Sequence, residues 1–264
     1  MAIRRMGSTD EDYVRNRTVI ANAVVGQMLP DGVIKGGTSL KMRFGDKRTR
    51  ATTDFDAARS MGLAPFIDEL SRNLQSGWEG FTARVVELSP AHPQGVPSAY
   101  VMQPYEIKLS YLGSSWCTVV FELGHNEIGD ADDADLVMPE DASLMLCSMG
   151  FAELKPVPVM PLCHQIAQKL HAATEPNSKR AHDLVDLQLM AANGRVDYGK
   201  TREVCERLFS YRQRQAWPPR VIEHAGWETI YIEAAEGLDV LPAVADAVAW
   251  TNDLIERIVA ADVS

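Results

Sequence analysis

The sequence predicts an α+β chain, with a mixed β-sheet flanked by helices over residues 1–158 and a helical domain over 159–264. Three observations carry this. Strand-like runs recur between Val33 and Leu123 with helical stretches among them. Beyond Pro158 the pattern is helical only. Pro156, Pro158 and Pro161 punctuate the change.

The elements follow in order. Ser8 and Glu11 fit a capping box, opening a helix to about Met28. Asp31-Gly32 turns the chain into a short buried strand, Val33-Ile34, which ends at Gly36-Gly37. A short helix runs from about Thr38 to Phe44. Thr52 to Ala57 reads as a strand and Gly62 to Leu74 as an amphipathic helix. Phe81 to Leu88 is β, Ser89 to Ala99 is a Pro-rich loop, and Tyr100–Leu112 and Trp116–Leu123 form a hairpin through Gly113-Ser114-Ser115. Gly124 to Asp141 is an acidic loop. Candidate helices beyond it are Pro161–Thr174, Lys179–Asn193, Gly199–Gln215 and Leu238–Ala260.

Composition narrows the function. The formal charge of −10 argues against a generic nucleic-acid binder. The distribution of that charge weakens the objection. No Lys or Arg lies between Lys108 and Lys155, an interval with nine acids, so the rest of the chain carries −1. Lys41 to Arg50 holds five basic residues and one acid, so a polyanionic substrate remains open. The scattered Cys117, Cys147, Cys163 and Cys205 form no CxxC pair and read as buried free thiols. No apolar run approaches a membrane span, and the basic Met1–Met6 leads into polar residues, so the expected location is the cytoplasm.

Four pieces bear chemistry. Gly36-Gly37-Thr38-Ser39 lies between a strand and a helix, where phosphate oxygens approach backbone amides; such a pair is also a plain turn. In Thr53-Asp54-Phe55-Asp56, strand alternation puts both aspartates on one face. Two carboxylates so placed repel unless a cation sits between them, and Mg²⁺ takes oxygen ligands. A solvated turn is the other reading. Leu162, Ile166, Lys169 and Ala173 share one helical stripe, so Lys169 needs a partner or an anion, or else snorkels. Asp183 and Asp186 share a helix face, as acids of a solvated salt-bridged face also do.

Together these pieces resemble the AbiEii-type nucleotidyltransferases, the toxin subunits of abortive-infection and MenT-like toxin–antitoxin systems, within the DNA polymerase β-like superfamily. The family pattern of glycines, Thr or Ser and an Asp-x-Asp strand matches Gly36, Gly37, Thr38, Ser39, Asp54 and Asp56. Its helix with Glu-Lys-Leu-x-Ala matches Gln168 to Ala172, and its Arg-Asp-x-x-Asp-Leu matches His182 to Leu187. Three departures stand out: a longer stretch from Gly37 to Asp54, Gln168 for the acid, and His182 for the arginine.

The resemblance implies a nucleotidyltransferase fold and transfer of a nucleoside monophosphate from an NTP to an acceptor, foremost the tRNA 3′ end. It implies two Mg²⁺ ions on Asp54, Asp56 and a third carboxylate on a later strand, Glu122 or its competitor Glu106. Gly36, Gly37, Thr38 and Ser39 would hold the phosphates. Lys169 would offset their charge, and Asp183 or Asp186 would hold Lys169 or the acceptor. Arg180, Arg212, Arg214 and Arg220 would line an acceptor groove, and the basic loop Lys41 to Arg50 would approach phosphates. A cognate antitoxin is the implied protein partner, to which the acidic loop is one candidate contact. Two alternatives stay open: a protein or small-molecule acceptor, and a catalytically inactive binding scaffold.

Overall fold

The computed structural model describes residues 3–7, 9–90 and 101–262. The chain divides into two units, Met1–Asp46 with Thr52–Met160, and Lys47–Ala51 with Pro161–Ser264. The expected capping residue Ser8, the loop from 91 to 99 and the strand start at Tyr100 lie outside the described residues.

The first unit opens with α1 (Asp10–Gly26). Its capping box is one residue later than expected: the Asp12 amide donates to Thr9 Oγ1 at 3.0 Å, and the Thr9 amide donates to Asp12 Oδ2 at 3.1 Å. Strand β1 (Gly32–Lys35) runs into α2 (Gly36–Phe44), and β2 (Asp54–Arg59) is followed by α3 (Leu63–Ser76). Then come β3 (Phe81–Glu87), β4 (Gln103–Tyr111), β5 (Ser114–Gly124), β6 (Asp135–Val137), α4 (Glu140–Ser148) and β7 (Val157–Val159). Among the described residues these strands make one mixed sheet in the order β3-β4-β5-β2-β1-β7-β6. The pair β2–β5 is parallel, β1–β2 antiparallel and β1–β7 parallel.

Alternation separates the two sheet faces. Phe55, Ala57, Tyr105, Ile107, Leu109, Val119, Phe121 and Leu123 are buried in one core with Val24 and Val25 of α1, Phe66, Leu70 and Leu74 of α3, and Leu146 of α4. The intervening residues face the other way. The β4–β5 turn is tighter than expected. Leu112 and Gly113 both have positive φ, 48° and 79°, so a two-residue turn whose twist suits the strands replaces the longer connection. At the same end, Phe81 packs within 4.7–5.6 Å of the rings of Tyr111, Trp116 and Phe151.

Four elements were not expected. β6 and α4 occupy or border the acidic interval, and β7 adds a parallel partner to β1. In the second unit, α8 (Trp227–Ala235) joins α5 (Leu162–Ala173), α6 (His182–Asn193), α7 (Tyr198–Arg212) and α9 (Val244–Ala260). The α8 residues Trp227 and Tyr231 are fully buried. Gln188 of α6 donates to the Tyr231 hydroxyl at 3.0 Å, Tyr231 donates to Leu241 O at 2.6 Å, and the Leu241 amide donates to Gln188 Oε1 at 2.9 Å. That ring of bonds uses both backbone groups of Leu241, and Pro242 disfavours helix before it. The last helix therefore starts at Val244, not Leu238. α7 ends at Arg212 because Gln213 adopts a left-handed conformation. Of the expected buried thiols, Cys163 and Cys205 are buried, Cys117 is half-buried and Cys147 is exposed.

Phe81→Ala should cost the sheet unit about 3–5 kcal/mol in urea denaturation, because a large ring leaves a void among aromatic neighbours. Leu112→Ala, at 74% exposure, should change stability by under about 0.5 kcal/mol.

Candidate active site

Register decides which acids meet. β2 runs parallel to β5 with Asp54 opposite Val120, Phe55 opposite Phe121 and Asp56 opposite Glu122. Asp54, Asp56 and Glu122 therefore share the face turned away from the core. Lys35 lies opposite Asp56 on β1, so one row across three strands reads Lys35, Asp56, Glu122. Behind it, Phe55 and Phe121 stack at 5.5 Å. Glu106 is on the same face but stands opposite Val120, two strands from Asp54, and pairs with Lys108 at 2.9 Å.

The three acids feel one another. The Glu122 carboxyl is raised above the ordinary carboxylate range by burial first, then by Asp56 and Asp54, with Lys35 opposing. Among the described residues no three acidic, histidine or cysteine side chains form a ready-made metal cage. The acids are aligned on a face rather than gathered to a point. As a donor set they still suit a hard divalent cation: three carboxylates, mutually repelling, few enough to leave coordination positions for water and phosphate.

The glycine turn is fitted to this row. Gly36 has φ +62°, and a Cβ there would overlap Asp56 Oδ2, so only glycine brings the start of α2 against that carboxylate. A Cβ on Gly37 would press on the Thr52 side chain at 3.0 Å. The Thr38 and Ser39 side chains are fully buried, and the Thr38 hydroxyl donates to the Asp54 carbonyl at 2.6 Å. An incoming phosphate would thus meet backbone amides here rather than these hydroxyls. The Thr53 hydroxyl donates to Asp54 Oδ1 at 3.1 Å.

The second unit holds the other expected residues in one ionic cluster. Lys169 Nζ donates to Asp183 Oδ1 at 2.8 Å and to Asp186 Oδ2 at 2.6 Å. Both carboxylates are fully buried. Arg50 Nε reaches both Asp186 oxygens, at 3.1 and 3.0 Å, and Arg180 Nε reaches Asp183 Oδ2 at 2.8 Å. The arginine beside Asp183 is thus Arg180, while His182 stands 3.7 Å away. Burial alone would lower Lys169, but Asp183 and Asp186 outweigh it and hold the ammonium above its ordinary range. Burial would raise Asp183, yet Lys169 and Arg180 hold it well below the usual carboxylate range. His182 is pushed down to about 4, chiefly by burial, with Asp183 opposing and Arg50, Arg180 and Lys169 reinforcing.

Much of the basic stretch is engaged internally. Lys41 and Arg15 pair with Asp46, Arg43 pairs with Asp135 at 2.7 Å, and Arg50 with Asp186. Arg212 Nη1 lies 3.3 Å from His171 Nδ1, while Arg214 and Arg220 are exposed. Sequence reasoning did not single out Lys35 or Arg50. For Lys35 a signal existed, a strand lysine directly before the glycine pair; for Arg50 the only signal was membership of a basic stretch.

His182 contributes a definite pH dependence. The unfolded chain takes up its proton near pH 6.5 and the folded chain near 4, so melting temperature should fall as pH drops through that window. Below it, the depressed Asp183 continues the loss as its carboxylate is forced to protonate. His182→Gln should flatten the curve between pH 7 and 4 in a calorimetric series; an unchanged slope would deny the histidine this role.

A family model described as nucleotidyl transferase AbiEii toxin, type IV toxin–antitoxin system, matches residues 23–253. No curated protein matches the chain. Among solved structures, MenT4, the nucleotidyltransferase toxin Rv2826c of Mycobacterium tuberculosis H37Rv, is similar with TM-score 0.53 and 17% identity, over 96% of this chain and 94% of that one. JHP933 from Helicobacter pylori aligns with TM-score 0.47 and 12% identity over 95% and 93% of the two chains. No helix among the described residues is long and apolar enough to cross a membrane. The match over most of its length places the chain in the AbiEii family of type IV toxin–antitoxin systems, as a nucleotidyltransferase toxin.

Proposed function

We propose that this toxin moves a nucleoside monophosphate from an NTP to the 3′ end of a tRNA, using two Mg²⁺ ions held by Asp54, Asp56 and Glu122. One observation carries the reading: the parallel register of β2 and β5 sets Glu122 beside Asp56, with Asp54 one step along the same face and Gly36 against the Asp56 carboxylate. Glu106, two strands away and paired with Lys108, is the weaker candidate for the third acid. When bound, the ions would supply Lewis acidity toward the phosphate oxygens and charge neutralisation around the attacking hydroxyl.

The chain's own groups do the positioning. The first amides of α2 point at the β and γ phosphates, helped by the partial positive charge of a helix start. Gly36 and Gly37 keep that approach free of side chains. Thr53 orients the Asp54 carboxylate through its hydroxyl. In the second unit, the ionic cluster organises Lys169. Two of its three donors are fixed by Asp183 and Asp186, so its direction is set in advance at little further entropic cost. Arg50 and Arg180 complete the hydrogen bonding of those acids. The partner implied by the family is an antitoxin encoded with the toxin, and the setting is the cytoplasm.

The test is incubation with labelled NTPs, tRNA and Mg²⁺, followed by mass spectrometry of the RNA. Asp54→Asn, Asp56→Asn and Glu122→Gln should each lower transfer by about 10²-fold or more, as expected when a group acting on developing charge is removed. Because these acids repel one another without metal, each of the three substitutions should leave the metal-free melting temperature unchanged or raise it. Undiminished transfer by Asp54→Asn would end the proposal. Labelling of protein in place of tRNA would move the acceptor to the other class.

A further inference from the structure

Among the described residues, one face of β3, β4 and β5 is uncovered. On it stand Thr82 and Arg84 of β3, Glu106 and Lys108 of β4, and Thr118 and Val120 of β5. Thr82, Arg84 and Thr118 are exposed, Val120 is 39% exposed, and the Lys108 side chain is also 39% exposed. This is the face that carries Asp54, Asp56 and Glu122, and it continues from them without a break: Asp54, Val120, Glu106 and Val86 form one row across four strands. In the next row Thr118, Lys108 and Arg84 stand side by side.

We propose that this face is the docking lane for a polynucleotide acceptor, a single-stranded RNA end whose phosphates meet Lys108 and Arg84. The inference rests on the NTP placement given under the proposed function and deepens it. In-line displacement puts the attacking and leaving oxygens on opposite sides of the reacting phosphorus. The amides at the start of α2 lie on the β1 side of β2, where Gly36 touches Asp56. Pyrophosphate leaving toward α2 obliges the acceptor hydroxyl to come from the β5 side, and the surface beyond β5 is this open face.

Charge and spacing agree with a polymeric anion. At about 4.8 Å per strand, Lys108 and Arg84 lie roughly 10 and 14 Å across the sheet from β2. That is too far for the groups held at Asp54, and suited to phosphates further along a strand. Glu106 opposes the acceptor but is neutralised by Lys108 at 2.9 Å, and Arg84 makes no ion pair among the described residues. In a chain of net charge −10, the strip of this face on β3 and β4, where Arg84 and Lys108 stand with Glu106, carries a local excess of one positive charge. The hydroxyls of Thr82 and Thr118 add phosphate or ribose contacts, and Val120 adds an apolar spot for a base.

The experiment uses the full chain with deacylated tRNA as probe, read by fluorescence anisotropy over a salt series. Arg84→Ala with Lys108→Ala should weaken binding about tenfold and flatten the salt dependence by about 1.4 in slope, the value for two lost single-strand phosphate contacts. Glu106→Gln should tighten binding about threefold by removing a like charge. Arg72→Ala, an exposed arginine on α3 across the sheet, removes a surface cation away from the lane and should change nothing. An unchanged double variant overturns the docking lane alone; a wild type that binds no tRNA removes the lane and the tRNA acceptor together. Mg²⁺-dependent NTP binding, followed by calorimetry, should persist in every variant. Its absence from the wild type would instead take down the proposed function and this lane with it.

Discussion

Three acids on one sheet face are held where they repel, and the stacking behind them is what makes that tenable. Asp56 and Glu122 sit across a parallel strand pair, and the neighbouring residues on the same two strands, Phe55 and Phe121, stack on the core side. Burying two aromatic side chains is worth several kcal/mol, more than the repulsion of half-exposed carboxylates costs at an effective dielectric near that of a protein surface. The alternation of a β-strand makes the two effects inseparable, because any register that seats the phenylalanines also aligns the acids. A one-residue slip would bury the acids and expose the rings.

The second charged centre solves the opposite problem. There the carboxylates are fully buried, so each must find cations. Asp183 and Asp186 share Lys169, and each adds an arginine of its own. Charged hydrogen bonds of this kind are costly to break singly because a buried ion is left behind. Arg50 has a further consequence, since it draws the segment Lys47–Ala51 into the helical unit only four residues before the first acid of β2. The basic stretch that the sequence suggests for phosphates is thereby largely engaged by Asp46, Asp135 and Asp186.

Legibility followed periodicity. Phe66, Leu70 and Leu74 repeat at helical spacing, and β4 and β5 alternate over nine and eleven residues, so these elements and the α+β class could be read directly. β6 and β7, at three residues each, are too short to show a period. α4 was hidden because its first turn, Glu140 and Asp141, continues the acidic run, although acids favour a helix start. The Asp-x-Asp pair was visible as a motif. For the third carboxylate the sequence offers Glu122 ahead of Glu106, both following the same alternation; the pairing that sets Glu122 opposite Asp56 joins strands distant in sequence. Ion pairs such as Arg50–Asp186, 136 residues apart, leave no local trace at all.

The order of the sheet also bears on how the chain is made. β1 gains its outer neighbour only from β7, and β2 pairs with β5, so the centre of the sheet closes through residues far apart along the chain. Non-local pairing of this kind folds slowly, because loop entropy is spent before contacts return it. During synthesis, a nascent chain ending before Val157 has β1 as an open edge, a template for stray pairing. A ribosome must therefore deliver Val157–Val159 before the strand leading to the glycine hinge is protected on its outer side, which ties maturation of the sheet to synthesis of the segment that leads into the helical unit.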